Sequence, residues 1–203
     1  MRLYCLILLI GFPVSCKKTN NTAPNPIDAG LKTHFDYKPG TYWVYRDSMS
    51  GRIDSFVTVS RDSGVSGYLP LYGKSPASFI NIVINEYPAN SALHDQWTWS
   101  LQNNGIFATM PDFTAPLFFY PFSIGKRDWA GDAYNVTEIL KTLVINADTF
   151  RDVAVINHSK FGEVYDDWFY INDQVGIIKM KLTNYNDSAR NRIWELQRYK
   201  IIR

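Results

Sequence analysis

The chain predicts an all-β protein: an antiparallel, strongly bent sheet or barrel-like domain of about ten strands. Three observations lead there. Short runs of alternating apolar and polar residues recur from residue 35 to the C-terminus, separated by turn residues. Aromatic residues make up 15% of the chain, a bias that suits the pleated, half-buried surface of a strand. No long stretch beyond the first 16 residues reads unambiguously as helix.

The strands follow in order. Tyr42 to Asp47 is the first, and Ser48-Met49-Ser50-Gly51 turns it into Ile53 to Ser60. Phe79 to Tyr87 places Ile80, Ile82 and Ile84 on one face. Gln96 to Leu101 does the same with Trp97, Trp99 and Leu101, and Asn103-Asn104-Gly105 is a hairpin signal leading into Ile106 to Met110. Residues 111–132 break the pattern, with Pro111, Pro116 and Pro121 set among Phe113, Leu117, Phe118, Phe119, Tyr120 and Phe122. Proline keeps such a segment out of a central strand, so it reads as a long apolar connection across an open end of the sheet.

Strands resume at Asn135 to Ile145, where Val136, Ile139, Leu140 and Leu143 also fit a helical period. Asp148 to Asn157 comes next. Asp167 to Asn172 and Gly176 to Leu182 form a hairpin across Asp173-Gln174-Val175, and Arg192 to Ile202 closes the chain. Pro39-Gly40 ahead of Trp43 is echoed by Pro121 and Gly125 ahead of Trp129, as two halves of similar build would produce.

Ahead of the strands, Arg2, an apolar run from Leu3 to Phe12 and the short Pro13-Val14-Ser15 segment have the three-part plan of a secretory signal. A membrane span needs about 20 apolar residues, and Lys17-Lys18 end this run well before that. From Lys17 to Lys32 the chain is polar and punctuated by proline, as expected of a tether spanning roughly 20 Å. The expected organisation is a leader over 1–15, a linker over 16–34 and a β domain over 35–203.

Val14-Ser15-Cys16, following the apolar run, resembles the lipobox of bacterial lipoproteins, and a Ser-Cys-Lys ending is typical of Bacteroidota lipoproteins. The resemblance implies cleavage between Ser15 and Cys16, and acyl chains such as palmitate on Cys16. Two or more chains hold a protein on a bilayer where one holds it only marginally. Lys17 stands where an Asp retains enterobacterial lipoproteins in the inner membrane, which points to the outer membrane of the cell envelope. The segments Pro39 to Tyr45 and Phe169 to Lys179 resemble stretches of β-rich Bacteroidota lipoproteins, which implies an antiparallel β domain and no particular activity. Asp47-Ser48-Met49 and Asp187-Ser188-Ala189 resemble the Asp-Ser/Thr-apolar acceptor of Bacteroidota O-glycosylation, making Ser48 and Ser188 candidate sites.

Composition excludes several classes. The net charge of +2 falls to +1 once Arg2 leaves with the leader, so no basic excess is available for phosphate contacts and nucleic acid is not an expected partner. Cys5 also leaves with the leader and Cys16 is blocked by lipid, so the folded domain has neither disulfide nor thiolate metal site. His34, His94 and His158 show no metal-ligand spacing, and no metal or other cofactor is expected. Gly64-Val65-Ser66-Gly67 misses the Gly-x-Ser-x-Gly elbow of serine hydrolases.

Two surfaces remain as candidates. Glu163, Asp166 and Asp167 beside Trp168 could supply the paired carboxylates of a glycan hydrolase. Phe113, Phe118, Phe119, Tyr120 and Trp129, if exposed, would form an apolar ligand or partner surface; buried, the favoured reading, they plug the core. The leading expectation is a non-enzymatic envelope lipoprotein binding or scaffolding an envelope protein, a glycan or a lipid. The alternatives are the hydrolase and a lipid carrier with an open apolar cavity.

Overall fold

The computed structural model describes residues 23–66, 76–89, 95–110, 113–129, 132–160, 166–183 and 191–203. It holds one helix, α1 (Ala29–Phe35), and twelve strands: β1 (Tyr42–Asp47), β2 (Ile53–Ser66), β3 (Ala77–Pro88), β4 (Asp95–Gln102), β5 (Gly105–Met110), β6 (Phe113–Phe119), β7 (Gly125–Trp129), β8 (Asp132–Ile145), β9 (Asp148–Lys160), β10 (Asp166–Asn172), β11 (Gly176–Leu182) and β12 (Arg192–Lys200). They form one antiparallel sheet in the order β6-β5-β4-β3-β2-β1-β12-β11-β10-β9-β8-β7. Sequence-adjacent strands pair with one another except β6 and β7, which form the two edges, and the first and last strands pair at the centre. The all-β reading holds, with twelve strands among the described residues where the alternation suggested about ten.

The sheet consists of two six-stranded meanders. Strand lengths run 6, 14, 12, 8, 6 and 7 residues from β1 to β6. They run 5, 14, 13, 7, 7 and 9 residues from β7 to β12. The proline–glycine echo marks the start of each half: Gly40 (φ 90°) precedes β1 and Gly125 (φ 138°) opens β7, both in a backbone region that suits glycine.

Following cross-strand partners around the sheet identifies its inner face. Phe118, Ile106, Leu101, Ile80, Ile82, Ile84, Trp99, Phe56 and Trp43 lie on it in the first half. Trp194, Met180, Phe169, Ile156, Val136 and Tyr134 continue it in the second. These side chains belong to a single hydrophobic cluster. The sheet curls, without closing, until its edge strand β6 reaches β8. Phe119, on the opposite face of β6 from Phe118, packs edge-on against Tyr134 (5.5 Å, 90°), and its N–H donates to Tyr134 Oη at 3.2 Å.

Within 111–132, where a long apolar connection was expected, Phe113–Phe119 and Gly125–Trp129 are the edge strands β6 and β7. Pro116 is tolerated because β6 has a partner on one side only. The alternative helix at 135–145 is strand β8. Its hairpin with β9 carries a bulge between Val136 and Glu138 and a left-handed Asp152 (φ 52°), and Asn146 at its tip donates from Nδ2 to the Leu196 carbonyl at 2.7 Å.

The largest departure concerns the linker. Residues 1–22 lie outside the described residues, but residues 25 to 35 are part of the fold. Asn25 bridges Ala77, and the Asp28 N–H donates to the Asn103 carbonyl at 2.5 Å. Asp28 Oδ1 accepts the Leu31 N–H at 2.9 Å, capping α1. One turn apart, Leu31 and Phe35 are both fully buried. Phe35 packs against Phe118 (4.9 Å), Tyr120 (5.9 Å) and Phe122 (6.3 Å). Helix α1 therefore closes one end of the curled sheet, and Arg203 fastens it there by donating to the carbonyls of His34, Asp173 and Gln174.

Phe35→Ala should lower the unfolding free energy by about 3–5 kcal/mol, as for other buried aromatics cut to alanine. Exposed Lys32→Ala on the same helix should change it by less than about 0.5 kcal/mol. Urea unfolding of the two variants checks this; equal, negligible effects would mean that the segment is a tether after all.

Candidate functional site

At the end of the sheet away from α1, the inner face changes character. The apolar alternation Ile80-Ile82-Ile84 continues on β3 as Glu86, which sits opposite Phe56 of β2. Two residues before Phe56, on the same face, is Asp54, which is fully buried. Arg52 grips Asp54 with two bonds, Nε to Oδ1 at 2.9 Å and Nη2 to Oδ2 at 2.6 Å. That Nη2 lies 3.9 Å from Glu86 Oε1. Trp97 Nε1 donates to Glu86 Oε2 at 3.1 Å, and the Arg52 guanidinium sits 5.6 Å from the Trp194 ring centroid.

Burial, and then the charge of Asp54, push the Glu86 carboxyl up to about 7. A hydrogen bond with Asp54 adds to that rise, while the Trp97 indole N–H opposes it. Asp47, buried nearby, behaves in the opposite way. Burial alone would raise it, but the Ser50 hydroxyl (2.5 Å), the Ile193 N–H (3.1 Å) and the Met49 N–H (3.2 Å) together hold it below the ordinary range. Asp47 is an ionised organiser of the β1–β2 turn, whereas Glu86 can exchange a proton near neutrality beside Asp54. Flanked by indole rings and one guanidinium, this group can offer hydrogen bonds and charge to a polar ligand.

The carboxylates singled out in sequence are arranged differently. Glu163 lies outside the described residues. Asp166 and Asp167 are consecutive on β10, so their side chains leave opposite faces and cannot face each other across a cleft. Asp166 accepts from Asn157 Nδ2 at 2.5 Å and from Trp168 Nε1 at 3.2 Å. Asp167 accepts the Thr183 N–H at 3.0 Å, and burial raises its carboxyl to about 6. Both tie β10 to its surroundings.

Of the aromatic surface, Phe118 is fully buried in the core and cannot serve as surface. Phe119 and Tyr120 are partly buried, against Tyr134 and against His34 (5.6 Å) respectively. Phe113 pairs with Met110 and Trp129 with Asp132 in the ladders; their side chains lie outside the described residues. Ser48 is exposed, its hydroxyl 3.3 Å from the Ile193 carbonyl, and it lines an open depression of about 280 Å³ with Arg46, Asn146, Glu195 and Gln197. Ser15, Cys16, His94 and Ser188 lie outside the described residues. His34, on α1, and His158, opposite Asp167 on β9, sit at different ends of the sheet.

Arg52, Asp54 and Glu86 were not singled out from sequence. Two signals carried them. An Arg-x-Asp at strand spacing shares one face, and a glutamate extends an apolar alternation.

No family model and no curated protein matches the chain. Among solved structures, a Bacteroides fragilis protein assigned as exported, with a YmcC-like fold, superposes with a TM-score of 0.49 at 11% identity, over 81% of this chain and 98% of that one. A Parabacteroides distasonis protein assigned as a lipoprotein gives a TM-score of 0.42 at 14% identity, over 81% of this chain and 96% of that one.

The folded chain keeps a proton on Glu86 up to about 7, while an ordinary glutamate releases it near 4.5. Between these values the folded state binds more protons than the unfolded one, so stability falls as pH rises through the window. The loss should be on the order of 3 kcal/mol, and Glu86→Gln should flatten it. Urea midpoints across the window check this. Asp167→Asn should flatten only the lower part, because its carboxyl is raised to about 6 from 3.8.

Proposed function

We propose that this chain is an envelope lipoprotein, anchored through acylated Cys16, whose β domain binds or scaffolds a polar partner without catalysing a reaction. The observation that carries this reading is where the chain enters the fold. Asn25 is already bonded to Pro76 and Ser78, so only residues 17–24 separate Cys16 from the domain. Eight residues reach at most about 29 Å even when fully extended, half the reach of a sixteen-residue linker running to Lys32. The acyl chains would thus hold the domain close to the bilayer, α1 end first, and present the Asp54–Glu86 end to the aqueous compartment. Lys17, in place of an aspartate, favours the outer membrane.

A polar partner, such as a glycan or another envelope protein, fits the presented end. It offers carboxyls, a guanidinium and indole rings, the groups that orient a polar ligand. The lipid-carrier reading is less favoured, because the aromatic interior packs against itself: Trp43 lies 6.0 Å from Trp99 and 4.9 Å from Tyr37. The glycan-hydrolase reading is less favoured because Asp166 and Asp167 point apart.

Replacing Cys16 by Ser should move the protein from the membrane pellet to the soluble fraction and abolish incorporation of labelled palmitate. A Cys16→Ser variant that still pellets and still takes up label would overturn the anchor.

A further inference from the structure

Resting on the acyl anchor, we propose that the α1 end of the domain lies on the bilayer itself and contacts anionic lipid headgroups. Three exposed lysines surround this end: Lys32 on α1, Lys38 just beyond it and Lys200 at the end of β12. The Lys38 N–H donates to the Ile202 carbonyl at 2.9 Å, which brings Lys38 and Lys200 to one corner.

The nearby carboxylates do not cancel this charge. Asp36 is gripped by Arg61 through bonds of 2.5 and 3.0 Å, and the remaining charges of Asp28 and Asp173 are outnumbered by the three lysines and Arg203, which bonds the carbonyls of His34 and Asp173. Beside the lysines stands an apolar contact. Ile124 is 68% exposed in the β6–β7 turn, two residues after Phe122, which packs on Phe35. Lysines with an exposed apolar side chain suit an interface of anionic headgroups and acyl chains. The eight residues between Cys16 and Asn25 reach at most about 29 Å, which keeps the end where Asn25 joins the fold nearest the bilayer.

The test uses the acylated chain in vesicles of phosphatidylcholine and phosphatidylglycerol containing headgroup-nitroxide lipid. Cys16 is blocked and Cys5 is lost with the leader, so Ile124→Cys or Met49→Cys can carry a single fluorophore at an exposed position. The fluorophore at 124 should be quenched several-fold more than that at 49. Its quenching should drop in vesicles of phosphatidylcholine alone, and in the Lys32→Glu, Lys38→Glu, Lys200→Glu variant, while the protein still pellets. Equal quenching at 124 and 49 in pelleted protein would overturn the orientation and leave the anchor standing. Equal quenching at 124 in both vesicle types would overturn the headgroup contact. Protein remaining in the supernatant would overturn anchor and orientation together.

Discussion

The pairing of β1 with β12 is the constraint from which the architecture follows. It joins two six-stranded meanders into one sheet and sends β6 and β7 to the edges. The junction is secured on both sides of the ladder. Thr41 Oγ1 accepts the Ile202 N–H at 2.9 Å, Trp43 Nε1 donates to the Val175 carbonyl at 2.8 Å, and Tyr45 Oη donates to the Ile177 carbonyl at 2.7 Å. Unpaired edges invite association, and each is protected in its own way. Proline interrupts β6 while its end is covered by Tyr134, and β7 is only five residues long.

The same strands build two unlike ends. Toward α1 the inner face is aromatic and closed. Away from it, isoleucines give way to Glu86 and the chain buries Asp54 and Asp47. Buried ionisable groups are costly, and apolar residues of similar volume would often hold such a place as well or better. Arg52, Trp97 and the β1–β2 turn offset that cost through specific bonds. This end is therefore where the fold departs from what packing alone requires, and the polarity of the molecule, greasy plug against titratable mouth, follows from it.

Much of the sheet was legible because its strands alternate cleanly. Strands β1 and β11 have the limits their residue patterns suggest, and the hairpin at Asn103-Asn104 is present, with Asn103 in the left-handed region (φ 49°). The order of the strands depends on β1 meeting β12 across 144 intervening residues (48–191), and local alternation holds no record of that pairing. Helix α1 was missed because Gly30 and the prolines at 24 and 26 imitate a linker, while the informative pair, Leu31 and Phe35, is just two apolar residues in seven. Asp54 and Glu86 were missed because they stand 32 positions apart, and Glu86 acquires its raised proton affinity only when β2 and β3 bring the two together.

The central seam also dictates when folding can finish. A meander can form hairpin by hairpin as its residues become available, but the middle of this sheet waits for the last strand. Until β12 arrives, β1 has an open flank and Trp43 lacks its carbonyl partner on the far half. A chain that becomes available from its N-terminus thus remains incomplete until its final dozen residues emerge, a delay that leaves its half-built sheet dependent on protection from aggregation.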